Sequence, residues 1–239
     1  MSCTAPDAAA AGRRRATRLL LFLSLLPILP AGLGAVPPSG SLIDPIPGAP
    51  RPGQLTNEEQ RNRYVDAYAG CIVRSHRRLA ERVLAEPYLS PAQYRLVLAI
   101  SDPGCLGGGI AQLRYPAPQL VGRIAQVLIR ERYAGADIGR FAALSDEAAG
   151  QLGLTPRNNA EDMAFCILRR DPQTVRALVE TPFGSGEETA AIRRLVPHLA
   201  PCAAAGETLK LNQAAVRLLL AAGLYRALSI TIPAAAEGR

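Results

Sequence analysis

Hydrophobic and polar residues after position 55 follow the 3.6-residue period of amphipathic α-helices. The first helix is predicted to begin at Thr56, because Glu59 stands three residues later and completes a capping box. One face of this helix carries its apolar residues, which are Tyr64, Val65, Tyr68, Cys71 and Ile72. Cys71 is therefore expected to face the protein interior.

Three more helices are predicted in the first part of the chain. The second runs from His76 to Glu86 and ends before a proline, and the third covers Ser90 to Ile100. A short extended stretch, Gln112 to Tyr115, precedes the fourth. The fourth helix has a polar stripe opposite its apolar residues, formed by Gln119, Arg123, Gln126 and Arg130.

The four-helix pattern occurs twice, which predicts an internal duplication. A shift of 95 residues places Cys71 and Arg74 on Cys166 and Arg169, together with neighbouring Ala, Ile and Pro positions. A shift of 97 aligns Cys105 with Cys202, and a shift of 96 aligns the fourth helices. The changes of offset fall where loops are expected. Chance alignment of Ala- and Leu-rich helices is the alternative explanation.

The predicted fold is therefore all-α, with two tandem copies of a four-helix unit packed together. The copies span residues 56–133 and 158–230, and residues 134–157 connect them through a short helix near Asp146. In the second copy the second helix is predicted to begin at Asp171-Pro172 and the third at Ser185. Thr208 to Leu211 is expected to be extended. The last helix, Val216 to Leu228, is apolar on almost all sides, so we expect it at the centre.

Four cysteines remain if the N-terminal segment, which contains Cys3, is removed, and they permit three pairings. Duplication selects Cys71–Cys105 and Cys166–Cys202, because each copy then carries its own pair. Each such bond stabilises a small domain by about 3–4 kcal/mol. The alternatives are a zinc site, which favours short Cys-x-x-Cys or Cys/His clusters, and a redox pair, which favours Cys-x-x-Cys. Neither spacing is present.

The N-terminus has the layout of a secretory signal peptide. Arg13, Arg14, Arg15 and Arg18 precede an uncharged apolar run that ends in small residues, so we predict a Sec-type signal over residues 1–35. A retained membrane anchor is the alternative, although the uncharged stretch reaches only about 18 residues. Residues 36–55 are rich in Pro and Gly and predict a disordered linker, and residues 231–239 form a tail.

Composition and charge narrow the function classes. Aromatic residues make up 5% of the chain and Trp is absent, which favours helices packed through Leu, Ala, Val and Ile. Residues 1–35 hold four Arg and one Asp, so the net charge falls from +7 to +4 without them. A charge of this size does not indicate nucleic-acid binding. Membrane association is expected only if the N-terminal segment stays as an anchor.

Motifs that carry chemistry are scarce. His76 and His198 do not match each other across the copies and fit no metal or triad pattern. The glycines at 107–109 lack the Lys-Ser/Thr of a phosphate loop, so they predict a turn. Arg74 and Arg169 recur in both copies, either as anion-binding arms or as helix C-terminal cations that favour the helix dipole. We expect no catalytic, cofactor-binding or metal site.

The residues around the third cysteine, Phe165 to Pro172, read FCILRRDP. Together with Cys202 and with Leu209-Lys210-Leu211 before the last helix, they resemble a group of exported bacterial proteins of alphaproteobacterial type that have four cysteines and no assigned activity. The resemblance covers both copies but not the first 55 residues. It implies export and duplication, and it implies no ligand, cofactor or site.

These observations predict a periplasmic or secreted, non-enzymatic module that binds a partner or ligand in a groove between its two halves. A structural or envelope-associated role without a ligand is a second interpretation. The third is an enzyme with an unfamiliar site in that groove. A buried Asp/Glu pair, or His76 beside a carboxylate, would favour the enzyme.

Overall fold

The computed structural model of the chain describes residues 58–106, 116–142, 144–204 and 212–232. Their regular structure consists of α-helices and short 3-10 helices, and no β-strand occurs among them. The predicted all-α class is confirmed. Several sequence predictions lie outside the described residues: the signal peptide, the linker, the cap at Thr56, the glycine turn at 107–109, the extended stretches before both fourth helices and the end of the tail.

A kinked helix opens the first half, whose three helices are α1 (Glu58–Ala85), α2 (Pro91–Ile100) and α3 (Ala117–Arg132). His76 interrupts α1 with a φ of −134° and a ψ of 39°, so the first two predicted helices are the two arms of one kinked helix. α2 begins at the predicted place, because the Ser90 hydroxyl accepts a hydrogen bond from the backbone N–H of Gln93 at 3.0 Å.

The second half contains four helices, which are α5 (Asn159–Arg170), α6 (Pro172–Glu180), α7 (Gly186–Leu199) and α8 (Gln213–Thr231). A short helix, α4 (Asp146–Gln151), lies in the connecting segment, as the sequence predicts. Asp171 both ends α5 and caps α6, since its carboxylate accepts from the Thr174 N–H at 3.0 Å. When the two arms of α1 are counted separately, the helices of the second half follow in the same order as those of the first half.

Helix α8 lies at the centre of the described core and packs against α1, α3, α5, α6 and α7. Its apolar residues from Val216 to Leu228 are mostly buried, in agreement with their distribution around the whole helix. Among the described helices, α8 is the one that is long and apolar enough to cross a membrane. In this structure 67% of its most apolar window is buried inside the protein, which is typical of a core helix.

Two glycines allow α8 to approach its neighbours closely. A Cβ built on Gly122 of α3 would lie 2.6 Å from the Cβ of Leu218, and one built on Gly223 of α8 would lie 2.6 Å from the Cβ of Ala164. Real Cβ atoms do not come this close, so any larger residue would force the helices apart. Gly122 and Leu218 are 96 residues apart, the offset that aligns α3 with α8.

The polar stripe of α3 is largely inside the protein. Arg123 is 3% exposed and Gln126 is 1% exposed, whereas Arg130 is exposed at the end of the helix. Arg123 forms an ion pair with Asp66 of α1, and the Gln126 amide donates to the Val179 carbonyl of α6 at 3.2 Å. These partners satisfy the Arg123 guanidinium and the Gln126 amide N–H, which would otherwise be costly to bury, whereas the Gln126 Oε1 is buried without a hydrogen-bond partner.

Candidate functional site

Both predicted disulfide pairings are present, Cys71–Cys105 and Cys166–Cys202, and each has a Cα–Cα distance of 5.6 Å. The first bond joins α1 to the 3-10 turn that follows α2, and the second joins α5 to the 3-10 turn that follows α7. The cysteines are therefore not free to bind zinc. No group of three or more metal-binding side chains occurs in the described part of the chain.

Arg74 and Arg169, which the internal alignment pairs, have different surroundings. Arg169 forms an ion pair with Asp146 of α4 and donates to the Leu144 carbonyl at 3.2 Å, whereas Arg74 is exposed and lies over Gly70. Arg169 also lines a cavity of about 280 Å³ whose wall includes Asp146 and Asp162. An anion there would face two carboxylates, so these contacts favour a structural role for Arg169.

His76 lies beside a carboxylate, which is one of the features that would favour an enzyme. Its Nε2 is 2.9 Å from Asp102 Oδ2, and the hydrogen bond from His76, followed by that from the Gly104 N–H, lowers the pKa of Asp102. The nearby Ser101 hydroxyl donates to the Val97 carbonyl at 2.9 Å. About a third of each side chain of the pair is exposed, and neither residue lines the cavity that lies between the two halves of the protein.

A cavity of about 520 Å³ lies between the two halves of the protein. The first half contributes the turn before α2 and the start of α3, through Tyr88, Leu89, Pro116, Pro118 and Gln119. The second half contributes the starts of α5 and α8 and the turn after α7. The residues from the second half include small ones, such as Ala160, Ala214 and Ala215, and larger apolar ones, which are Met163, Leu218 and Leu219.

The polar side chains on the described cavity wall are few and uncharged: Tyr88, Gln119, Asn159 and Asn212. The Asn212 Oδ1 already accepts from the Ala215 N–H at 2.8 Å and caps α8. Burial raises the pKa of the Tyr88 phenol, so the ring presents a neutral surface. No Asp, Glu, His, Lys, Arg, Ser or Cys is among the described residues that line the cavity. The wall thus suits an apolar ligand.

Glu161 holds one edge of the cavity in place. This carboxylate is 3% exposed, accepts from the Tyr88 N–H at 3.1 Å, and forms ion pairs with Arg157 and Arg226. Asn158 donates its amide to the Tyr88 carbonyl at 2.7 Å. Burial acts to raise the pKa of Glu161, but the hydrogen bonds from Arg157 and Tyr88 outweigh it and the pKa is lowered. The α1–α2 turn is therefore tied to α5.

A second polar cluster joins the halves on another side. Arg123 of α3 and Arg217 of α8 both stack on the Phe183 ring, with guanidinium carbons 3.4 Å and 4.5 Å from its centroid. Arg217 is 1% exposed and lies 3.3 Å from the carboxylate of Glu188. Burial lowers the pKa of Arg123 to about 10, although Asp66 acts in the opposite direction. The contacts of this cluster connect helices of the two halves, which indicates a structural role.

Sequence reasoning anticipated a groove between the halves but identified none of the residues that line it. It also missed Glu161, Arg123 and Arg217 as buried charges. The spacing of Arg157 and Glu161 at i and i+4 is a local signal for an ion pair, yet it does not reveal burial. The other partners, Tyr88 in the α1–α2 turn and Arg226 of α8, are distant in sequence and carry no such signal.

Comparison with family models, with curated proteins and with solved structures found no match to this chain.

Proposed function

We propose that this protein is an exported, non-enzymatic module that binds a small apolar molecule in the cavity between its two halves. The observation that carries the proposal is the cavity itself, about 520 Å³ in volume and lined mainly by apolar side chains. Small-molecule sites in proteins typically measure about 300–1,000 Å³ and combine apolar walls with a few polar groups. Gln119, Asn159 and Asn212 are such groups.

The chemistry of the wall favours binding over catalysis. Acid–base or nucleophilic catalysis needs a titratable or nucleophilic side chain within reach of the ligand. The described lining offers amides, a tyrosine and apolar groups. The His76–Asp102 pair is the feature that favours an enzyme, but it contributes nothing to this wall. For this reason we do not propose an enzymatic function.

Export to the periplasm or to the medium is part of the proposal. Two disulfides are consistent with an oxidising compartment. The basic and apolar pattern of residues 1–35 supports the same location, as does the resemblance of Phe165–Pro172 and the cysteines to exported bacterial proteins.

We also propose that the halves descend from one duplicated unit. Equivalent turns support this, because Leu89 and Gly184 both have positive φ, and each donates its N–H to a side chain four residues later, in Gln93 and Glu188. A serine follows each turn and caps the next helix. The cavity would then lie where two related units meet.

Binding can be tested with N-phenyl-1-naphthylamine, a neutral dye that fluoresces in apolar surroundings. We expect the oxidised protein to bind the dye saturably at one site. Ala215→Phe places a large ring in the cavity and should weaken binding at least tenfold while leaving the circular dichroism spectrum unchanged. The matched control is Ala148→Phe in α4, which is partly exposed and does not line the cavity.

Failure of the wild-type protein to bind the dye and a series of straight-chain alcohols would overturn the proposal. Equal binding by wild type and Ala215→Phe would show that the dye occupies another site, and it would also count against the cavity.

A further inference from the structure

The two equivalent turns carry different residues at the same backbone conformation. Leu89 has a φ of +64° and Gly184 has a φ of +75°. In both turns the backbone N–H of a serine donates a hydrogen bond to the carbonyl of the proline three residues earlier. The N–O distance is 3.0 Å in the first half and 3.4 Å in the second. Glycine adopts this left-handed conformation readily, whereas leucine meets a steric clash between its Cβ and the backbone. The first half therefore carries a strained residue where the second half does not.

The leucine side chain itself contributes little to offset this strain. The Leu89 residue is 58% exposed, so most of its apolar surface stays in contact with water. Its backbone is held by Gln93, and the preceding residue, Tyr88, is held by Glu161 and Asn158. The turn is thus fixed by contacts that do not involve the leucine side chain. A strained, exposed apolar side chain beside a cavity indicates a role in binding.

Leu89 stands between two apolar spaces. It lines the cavity of about 520 Å³ and also a groove of about 90 Å³ between α2 and the start of α3. Pro118 is on both walls as well, and the groove is otherwise formed by residues such as Tyr94 and Val97. The two spaces therefore adjoin at Leu89 and Pro118, and Pro118 is held within the first turn of α3.

We propose that Leu89 limits the length of the apolar ligand by closing the cavity toward this groove. The inference rests on the proposed function and adds to it a selectivity residue. A ligand that fills the cavity ends against the Leu89 side chain. Replacing that side chain by hydrogen joins the groove to the cavity and lets longer ligands enter.

The test is displacement of N-phenyl-1-naphthylamine by straight-chain alcohols from hexanol to tetradecanol. For the wild type, affinity should rise about fourfold with each buried methylene group and then level off at a limiting length. For Leu89→Gly the limit should move to longer alcohols, while affinity for the shortest ones stays equal or falls. The Tm of Leu89→Gly should be unchanged or higher, because glycine suits this backbone.

Leu98→Ala is the matched control, since Leu98 is also 58% exposed on α2 but lines neither space. It should keep the wild-type length limit. An unchanged limit in Leu89→Gly, with binding intact, would overturn the inference and leave the proposed function standing. A lower Tm with a uniform loss of affinity for every alcohol would assign Leu89 a structural role and also overturn it. Absence of all binding by the wild type would overturn both.

Discussion

The two halves of the molecule arrange helices, turns and cysteines in the same order but obtain the break between their first two helices differently. In the second half, Asp171 stops α5 and caps α6, and Pro172 occupies the first turn of the new helix. In the first half the break lies at His76, whose non-helical backbone kinks α1. The His76 ring contacts Asp102, which follows α2. The break at Asp171 is produced by adjacent residues of the sequence, whereas His76 also contacts a residue that lies beyond the next helix.

The same contrast appears at the acids that face the fourth helices. Glu161 of α5 and Asp66 of α1 are 95 residues apart, and each forms an ion pair with an arginine of the last helix in its half. Glu161 is buried, whereas the Asp66 side chain is 38% exposed. The two pairs thus differ in which partner is more deeply buried, the arginine in the first half and the acid in the second.

The largest effect is expected from removing a disulfide, and it should be equal in the two halves. The bonds span 34 and 36 residues, so either double substitution, Cys71→Ser/Cys105→Ser or Cys166→Ser/Cys202→Ser, should cost about 4 kcal/mol. In a thermal melt this corresponds to a Tm about 10 °C lower. A difference above about 2 kcal/mol between the two variants would show that the halves do not rely on their bonds equally.

The next largest effect is expected from the buried acid. Glu161→Gln should lower the free energy of unfolding by about 3 kcal/mol at pH 7, because it leaves two arginines and the Tyr88 N–H poorly partnered. Asp66→Asn should cost about 1 kcal/mol, because the Asp66 side chain is 38% exposed and the buried Arg123 keeps its contacts with Asn62 and Phe183. Urea unfolding measures both values. Equal costs would contradict the contrast between the halves.

The pH dependence of Glu161 follows from its lowered pKa. A carboxyl group whose pKa is lower in the folded state stabilises the protein above its unfolded pKa, and that contribution is lost as the pH falls. Since the ordinary value is 4.5, the stability difference between wild type and Glu161→Gln should be full at neutral pH and should shrink below about pH 4.5.

The smallest effect concerns the two turns. Gly184→Leu should cost about 1–2 kcal/mol, because the added Cβ meets nothing within 4 Å and only the backbone conformation is strained. Leu89→Gly relieves the same strain and should change the free energy of unfolding by less than about 1 kcal/mol. Urea titrations of both variants compare the turns directly. A large loss in Leu89→Gly would show that the leucine is needed for folding.

Local features of the sequence were sufficient to place most helices. Ser90, Ser185 and Asp171 each offer an oxygen to a backbone N–H three residues ahead, and such caps act over a few residues of chain. The disulfide pairing was predictable for a different reason. The repeated spacing of the cysteines carries long-range information within a single chain.

The site depends on contacts that no local pattern contains. Arg123 sits in a polar stripe that sequence reasoning could not assign to the interior, because its burial is offset by Asp66 and Phe183 from other helices. The cavity likewise forms where the starts of α3, α5 and α8 meet the turn at Leu89, residues separated by more than 100 positions in sequence.

The sequence by itself determined the helical class, the helix starts and the cysteine pairs, because hydrophobic period, capping and repetition are properties of short segments or of their recurrence. Tertiary structure alone decided which polar residues are buried, that His76 meets Asp102, and that a cavity remains between the halves. The physical reason is that burial and packing depend on which side chains, distant in sequence, come into contact. For example, glycine is required in α3 and α8 only at the points where α8 approaches its neighbours closely.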